Sequence, residues 1–288
     1  MPQRLFICTD LDRTLIPNGS QAESAGARSH FASLVGHPQV TLAYVSGRHR
    51  GLVEAAIADY DLPLPDYVLG DVGTTIYRVG PRHDWELQVG WEREIARDWK
   101  DLTSVDLESA LHDVADLRLQ ERSRQNTHKL SYYLPAQFDR DGLTEQIERR
   151  LDSLGVSARL VWSIDDTDQT DLLDVLPARA SKYHAIDALM QEQGFSCDDT
   201  VFCGDSGNDI EVLVSPVPAV LVANSQPEVQ RLALRLAAES GHTDRLYIAR
   251  GGFMGLNGNY SGGMLEGIAY YYPQSVAWME FAGEESAT

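Results

Sequence analysis

The sequence predicts an α/β protein, a doubly wound parallel sheet with an α+β domain inserted into it, on three observations. Apolar strands and helices alternate over residues 5–69; a similar pattern returns from residue 182; and the stretch between them groups β-branched and aromatic strands in a different order. The first strand is the apolar run Leu5-Phe6-Ile7-Cys8, followed by a helix over Ala22 to Val35. Val40 to Val45 makes the second strand, Gly51 to Asp59 the next helix and Tyr67-Val68-Leu69 the third strand. This β-α-β-α-β order argues for parallel neighbours. The late pattern has a helix from Lys182 to Gln193 and strands at Thr200 to Cys203 and Ala219 to Val222. In the middle, helices over Glu92 to Leu102, Leu107 to Ala115 and Leu143 to Leu154 mix with strands at His128 to Leu134, Ala158 to Ile164 and Asp171 to Leu176. The expected division is a core of residues 1–80 and 178–288 and an inserted domain of residues 81–177, joined near Gly80-Pro81 and Pro177-Ala178. Residues 283–288 read as a disordered polar tail.

The composition is that of an ordinary soluble globular protein, with 43% apolar and 23% charged residues over 288 positions. A formal net charge of −19 repels nucleic-acid backbones and anionic membranes, so neither is an expected partner. It repels a phosphorylated substrate as well, and an anion site here needs local cations or a metal. Three cysteines without close pairing point to a reducing compartment and no disulfide framework. No run reaches the roughly 18 apolar residues of a membrane span, and Met1 to Asp10 lacks the apolar stretch of a secretory signal. The expected location is the cytoplasm.

Four stations carry chemistry. In Thr9-Asp10-Leu11-Asp12-Arg13-Thr14-Leu15, two carboxylates follow the first strand, at the carboxyl end where open α/β sheets place ligands. Asp10 is placed to attack phosphorus and Asp12 to handle the proton of the leaving oxygen, although the pattern alone also describes a solvated Asp-rich turn. Ser46-Gly47-Arg48 follows the second strand; its hydroxyl and N–H groups suit phosphate oxygens and equally a helix N-cap. Lys182 stands at the start of a helix, the end a cation avoids, which calls for an anionic partner or leaves it a surface lysine. Gly204-Asp205-Ser206-Gly207-Asn208-Asp209 brings two more carboxylates after another strand. Four acids together repel unless a divalent cation sits among them, and all-oxygen ligands with phosphate chemistry favour Mg²⁺. A Ca²⁺ loop is the competing reading, but the closing acid of an EF-hand is missing.

This series resembles the four motifs of the haloacid dehalogenase superfamily of phosphohydrolases, with residues 81–177 at the position of a type 2 cap. Within it the chain is most similar to the sucrose-phosphate phosphatases, on Leu42 to Arg48, Pro65 to Val68, Val72-Gly73-Thr74, Lys129 to Leu134, Asp174 to Pro177 and Ser261 to Ile268. Arg13 and Tyr183 depart from the superfamily's usual small residues.

The resemblance implies a Mg²⁺-dependent phosphatase of sucrose 6-phosphate or another glycosyl phosphate such as mannosylfructose phosphate. Asp10 forms an aspartyl-phosphate, and Asp12 acts as acid and then base, its pKa raised by the surrounding negative charge. The cation is held by Asp10, the Asp12 carbonyl and Asp205, with Asn208 and Asp209 completing or orienting the shell. Ser46, Gly47, Arg48 and Lys182 bind phosphate, and Asn126 and Lys129 contact the sugar. A partner from the same chemistry is a glycosyltransferase, sucrose-phosphate synthase, and the rival reading from another class is a non-catalytic sugar-phosphate-binding scaffold for such an enzyme.

Overall fold

A computed structural model describes residues 4–165 and 170–281. The expected polar tail at 283–288 lies outside the described residues. The strands are β1 (Leu5–Thr9), β2 (Val40–Val45), β3 (Tyr67–Gly70), β4 (Thr75–Val79), β5 (Trp85–Leu87), β6 (Arg118–Leu119), β7 (Leu130–Tyr133), β8 (Ala158–Asp165), β9 (Thr170–Pro177), β10 (Thr200–Gly204), β11 (Ala219–Leu221) and β12 (Leu246–Ile248). The helices are α1 (Ala27–Val35), α2 (Arg50–Asp59), α3 (Val89–Ala96), α4 (Ser104–Leu111), α5 (Arg140–Leu154), α6 (Lys182–Gln193), α7 (Ile210–Leu213), α8 (Pro227–Glu239) and α9 (Tyr260–Tyr271).

Eight strands form one sheet in the order β12-β11-β10-β1-β2-β3-β4-β5, parallel from β12 through β3 and antiparallel at β4 and β5. Strand alternation divides its apolar residues between two cores. Leu5, Ile7, Leu42, Tyr44, Val201 and Cys203 pack on one face against Phe31 of α1, Val53 of α2 and Met264 and Ile268 of α9. Phe6, Cys8, Ala43, Val45 and Phe202 pack on the other against Trp91 of α3, Ile186 and Leu189 of α6 and Leu213 of α7. Both faces are covered, which is why the strands read as continuous apolar runs.

A second, antiparallel sheet of four strands has the order β6-β7-β9-β8. Leu130, Tyr132, Leu173 and Val175 from its β7 and β9 meet Leu107 and Leu111 of α4, Leu143, Ile147 and Leu151 of α5, and the buried Trp99. This is the α+β unit expected from the middle of the sequence.

Several bounds differ from the expected ones, each for a physical reason. The first helix starts at Ala27 rather than Ala22, because Gly26 takes a left-handed φ of 77° and the Ala22 carbonyl is used by the side chains of Asn257 and Asn259. The helix expected over Glu92 to Leu102 ends at Ala96, passes through a short 3-10 turn and stops at Lys100, left-handed at φ 52°. Thr103 and Asp106 form a capping box that starts α4 at Ser104. Trp85–Leu87 pairs with β4 in the large sheet, so the expected boundary at Gly80-Pro81 falls inside that sheet.

Candidate active site

The large sheet reverses its winding at β1, which has β10 on one side and β2 on the other, and the loops leaving these three strands converge there. Asp10 follows β1 directly, with its N–H still donating to the Cys203 carbonyl at 2.9 Å. The residue is 5% exposed, and its carboxylate accepts from Lys182 Nζ at 3.0 Å. The same ammonium donates to Asp209 Oδ1 at 2.7 Å and Asn208 Oδ1 at 3.0 Å. These acceptors explain a buried lysine in the first turn of α6, a position its helix dipole disfavours. Ser181 caps that turn by accepting from the His184 N–H at 3.2 Å.

Asp205 leaves β10 and is 3% exposed. Arg13 Nε lies 3.3 Å from its Oδ2, and the Thr14 hydroxyl reaches its Oδ1 at 3.5 Å. Asp209 divides its labour. Its Oδ2 accepts the N–H groups of Asp205 and Ser206, each at 3.1 Å, and so shapes the loop, while Oδ1 faces Lys182.

Carboxylate oxygens of Asp10, Asp205 and Asp209 all lie within 4.8 Å of one another. Burial pushes the Asp10 carboxyl well above its ordinary range; Lys182 pulls it back, and the charges of Asp209, Asp205 and Asp12 add to the rise. Burial, helped by Asp209, pushes Asp205 up to about 7 against the opposing charges of Arg13 and Lys182. Burial works against the Lys182 charge too, but Asp10 and Asp209 prevail and hold it above its ordinary value. Three buried acids and only oxygen donors fit a hard divalent cation, which favours their ionised forms. The Asp12 side chain lies outside this group, and Asn208 Oδ1 borders it through the shared Lys182 ammonium.

Asp12 differs from expectation. Its carboxylate turns to Arg48, accepting from Nε at 2.8 Å and Nη2 at 2.6 Å, and to Asn18 Nδ2 at 2.7 Å. Burial alone would raise its pKa, but the hydrogen bonds and charge of Arg48, with Asn18 and Lys182, bring it below the ordinary value. The expected rise is therefore absent, because the nearest charge is a bidentate cation rather than an acid. Arg48, expected on phosphate, is engaged with Asp12 and with the Leu52 carbonyl at 3.3 Å. Ser46 is buried, and its hydroxyl accepts from the Arg48 N–H at 3.2 Å; Gly47 is exposed beside it.

Asn126 and Lys129 come from the turn before β7 and reach across to the large sheet. Asn126 Nδ2 donates to Thr74 Oγ1 at 2.8 Å. Lys129 Nζ stands 3.8 Å from Asp71 and 4.0 Å from Asp174. Asp71, Thr74 and Asn18 were not among the expected site residues. Asp71 follows β3 as Asp10 follows β1, so the rule of carboxyl strand ends was the signal for it.

Residues 3–272 match the sequence profile of sucrose-6F-phosphate phosphohydrolase. The chain belongs to this family. A relative from Nitrosococcus oceani, described no further than a HAD-like hydrolase, is 51% identical over 100% of this chain and 77% of its own length. Mannosylfructose-phosphate phosphatase of Agrobacterium fabrum is 29% identical over 81% of this chain and 88% of its own. The sucrose-phosphatase of Synechocystis sp. PCC6803, solved in complex with sucrose and phosphate, superposes with a TM-score of 0.72 at 27% identity, covering 93% of this chain and 98% of that one. Against the plant sucrose-phosphatases it matches, the chain spans about half of their length, 52%. The sucrose-6F-phosphate phosphohydrolases are phosphoric monoester hydrolases of the haloacid dehalogenase superfamily, and the α/β core with its acidic cluster is the architecture of that superfamily. Of the two departures noted in the sequence, Arg13 takes a left-handed φ of 58°, a conformation that suits glycine. Tyr183 lies within α6 with its ring 5.5 Å from that of His184.

Proposed function

We propose that the protein is a Mg²⁺-dependent phosphatase that releases phosphate from sucrose 6-phosphate through an aspartyl-phosphate. The observation that carries the reading is the Asp10–Lys182–Asp209 cluster, with Asp205 beside it, at the winding reversal of the sheet. Asp10 Oδ attacks phosphorus as the bond to the sugar oxygen breaks, and Asp12 gives that oxygen its proton. Water then attacks the aspartyl-phosphate, returning a proton to Asp12 and freeing Asp10 and inorganic phosphate. Bound at Asp10, Asp205 and the Asp12 carbonyl, a Mg²⁺ would neutralise charge on the phosphoryl oxygens. Lys182 and the hydroxyl and N–H groups at Ser46-Gly47 take up phosphoryl charge from their own side.

The Arg48 clamp holds Asp12 in the ionised form that the second step needs. The first step requires the pair to open, and Arg48, released beside Ser46, then has the phosphate as its nearest new partner. Asn208 and Asp209 orient the loop that presents Asp205. The smaller sheet and its helices, within residues 81–177, act as the cap that selects the sugar, with Asn126 and Lys129 facing it. A glycosyltransferase that makes the phosphorylated disaccharide is the partner this reading suggests. The three free cysteines suit a reducing cytoplasm.

Phosphate release with Mg²⁺ from sucrose 6-phosphate, mannosylfructose phosphate, trehalose 6-phosphate, glucose 6-phosphate and fructose 6-phosphate tests the reading. Preference for sucrose 6-phosphate, abolished by EDTA and by Asp10→Asn, is the expected result. The relative that acts on mannosylfructose phosphate favours that ester as the second reading. Turnover of none would support the scaffold instead.

A further inference from the structure

The segment after β3 is strained. Asp71, Val72 and Gly73 have φ values of 52°, 60° and 86°, three left-handed residues in succession of which two carry side chains. Such backbone costs on the order of 1 kcal/mol or more per non-glycine residue and persists only where its surroundings over-determine it. They do so here. The Asp71 N–H donates to the Arg48 carbonyl at 3.0 Å and the Val72 N–H to the Ser46 carbonyl at 3.2 Å. Trp91 Nε1 donates to the Gly73 carbonyl at 2.9 Å. A side chain at Gly73 would collide with the Ser181 carbonyl, so only glycine lets this turn lie against the start of α6. The turn is thereby tied to the Ser46 loop on one side and to Lys182 on the other.

This strain sets one side chain, Asp71, at the junction between the two sheets. It is 5% exposed, takes a weak hydrogen bond from the Thr75 hydroxyl at 3.4 Å, and faces Lys129 Nζ across the junction at 3.8 Å. Asp174 approaches the same ammonium from β9 at 4.0 Å. Among the described residues, neither contact is short enough for a direct hydrogen bond, and polar groups held at this spacing are commonly bridged by an oxygen. A 3.8 Å separation lets one hydroxyl oxygen hydrogen-bond to both groups at once.

We propose that Asp71 is a specificity-determining residue: with Lys129 it brackets a sugar hydroxyl of the phosphate ester, and it has no part in the phosphoryl transfer. The assignment rests on the sugar-phosphate reading above. A sugar whose phosphate lies at Asp10 and Ser46 must extend past this turn to meet the smaller sheet. A site built to bind a hydroxyl discriminates strongly against substrates that lack it.

The test compares wild type, Asp71→Asn and Asp71→Ala on the preferred sugar phosphate and on p-nitrophenyl phosphate, which has no hydroxyls to bind. Removing the carboxylate should lower kcat/KM on the sugar phosphate roughly 10- to 100-fold, mainly through KM. Asp71→Asn, which keeps the volume and a hydrogen-bonding group, should fall between. Turnover of p-nitrophenyl phosphate should stay within about threefold, since a hydrogen bond absent from that substrate cannot contribute to its rate. Parallel losses on both substrates would make Asp71 a prop for the Ser46 loop and overturn the inference, as would unchanged kinetics on the sugar phosphate. A wild-type enzyme that turns over p-nitrophenyl phosphate with no preference for any sugar phosphate would overturn the sugar-phosphate reading, and this inference with it. A clear wild-type preference that Asp71→Ala leaves intact would sink this inference alone.

Discussion

Replacing Lys182 with methionine should destabilise the metal-free protein by roughly 3 kcal/mol near pH 7.5, with a deficit that shrinks as the pH falls. The side chain is 1% exposed and its ammonium contacts two carboxylates, Asp10 at 3.0 Å and Asp209 at 2.7 Å, which are 6% and 0% exposed. Removing one partner of a buried ion pair usually costs about 3–5 kcal/mol, because the remaining charge is left uncompensated. The lower end applies here, since burial already raises the Asp10 pKa and so eases its protonation once the ammonium is gone.

The sign with pH follows. Lys182 is held above its ordinary pKa, so the lysine itself stays charged up to about 10.4, and below that the pH dependence comes from its acid partners. Asp10 and Asp205 are raised, so the penalty of ionising them in the fold is absent below about pH 4 and grows as the pH rises. Without Lys182 those acids rise further, and the deficit should therefore be small at pH 4.5 and largest above pH 7. Urea denaturation in EDTA at both pH values reads it directly. Mg²⁺ at 100 times its dissociation constant should return about 2.7 kcal/mol to either protein. A loss below roughly 1 kcal/mol at pH 7.5, or one that does not change with pH, would refute this account of the cluster.

Asp205, at about 7 in the metal-free fold, should make Mg²⁺ affinity by calorimetry climb with pH up to about 7 and level off above; a pH-independent affinity would rule this out. Arg13→Gly removes the guanidinium 3.3 Å from Asp205 and relieves a left-handed φ of 58°. It should therefore tighten Mg²⁺ binding roughly two- to fivefold, about the strength of one partly exposed ion pair, and unchanged or weaker binding in the same titration would count against it. Arg48→Met leaves Asp12 with burial and without its main counter-charge. The acid limb of kcat should move up by about one pH unit or more, whereas a fixed limb would mean that Asp12 does not set it.

The core and the acids clustered at its strand ends were legible because each follows from a local rule. Buried parallel strands leave continuous apolar runs, so β1, β2 and β10 stand out, and the acids and Ser46 at their ends mark the ligand side of the sheet. The edges were less legible. β5 is three residues long and only partly buried, too short to show an alternation, and so the large sheet continues past the expected boundary. Helix starts moved for tertiary reasons, such as the use of the Ala22 carbonyl by Asn257 and Asn259, 235 and 237 residues away.

Asp12 shows where reading charge from sequence fails. Counting acids along the chain places it among four carboxylates and predicts a raised pKa. The side chain's direction decides otherwise, because Asp10 and Asp12 point to different partners from the same loop. Asp10 turns to Lys182 and the two acids after β10; Asp12 turns outward to a guanidinium 36 positions away, in the loop after β2. The effect is a division of labour between two residues of one type. Burial gives Asp10 an environment in which ionisation depends on Lys182 and any bound cation, whereas the less buried Asp12 is kept ionised chiefly by Arg48. On the proposed mechanism the acid step needs Asp12 protonated and the base step needs it ionised, so the Arg48–Asp12 pair becomes a natural point of control between the two halves of the reaction, and its opening a requirement of the first half alone.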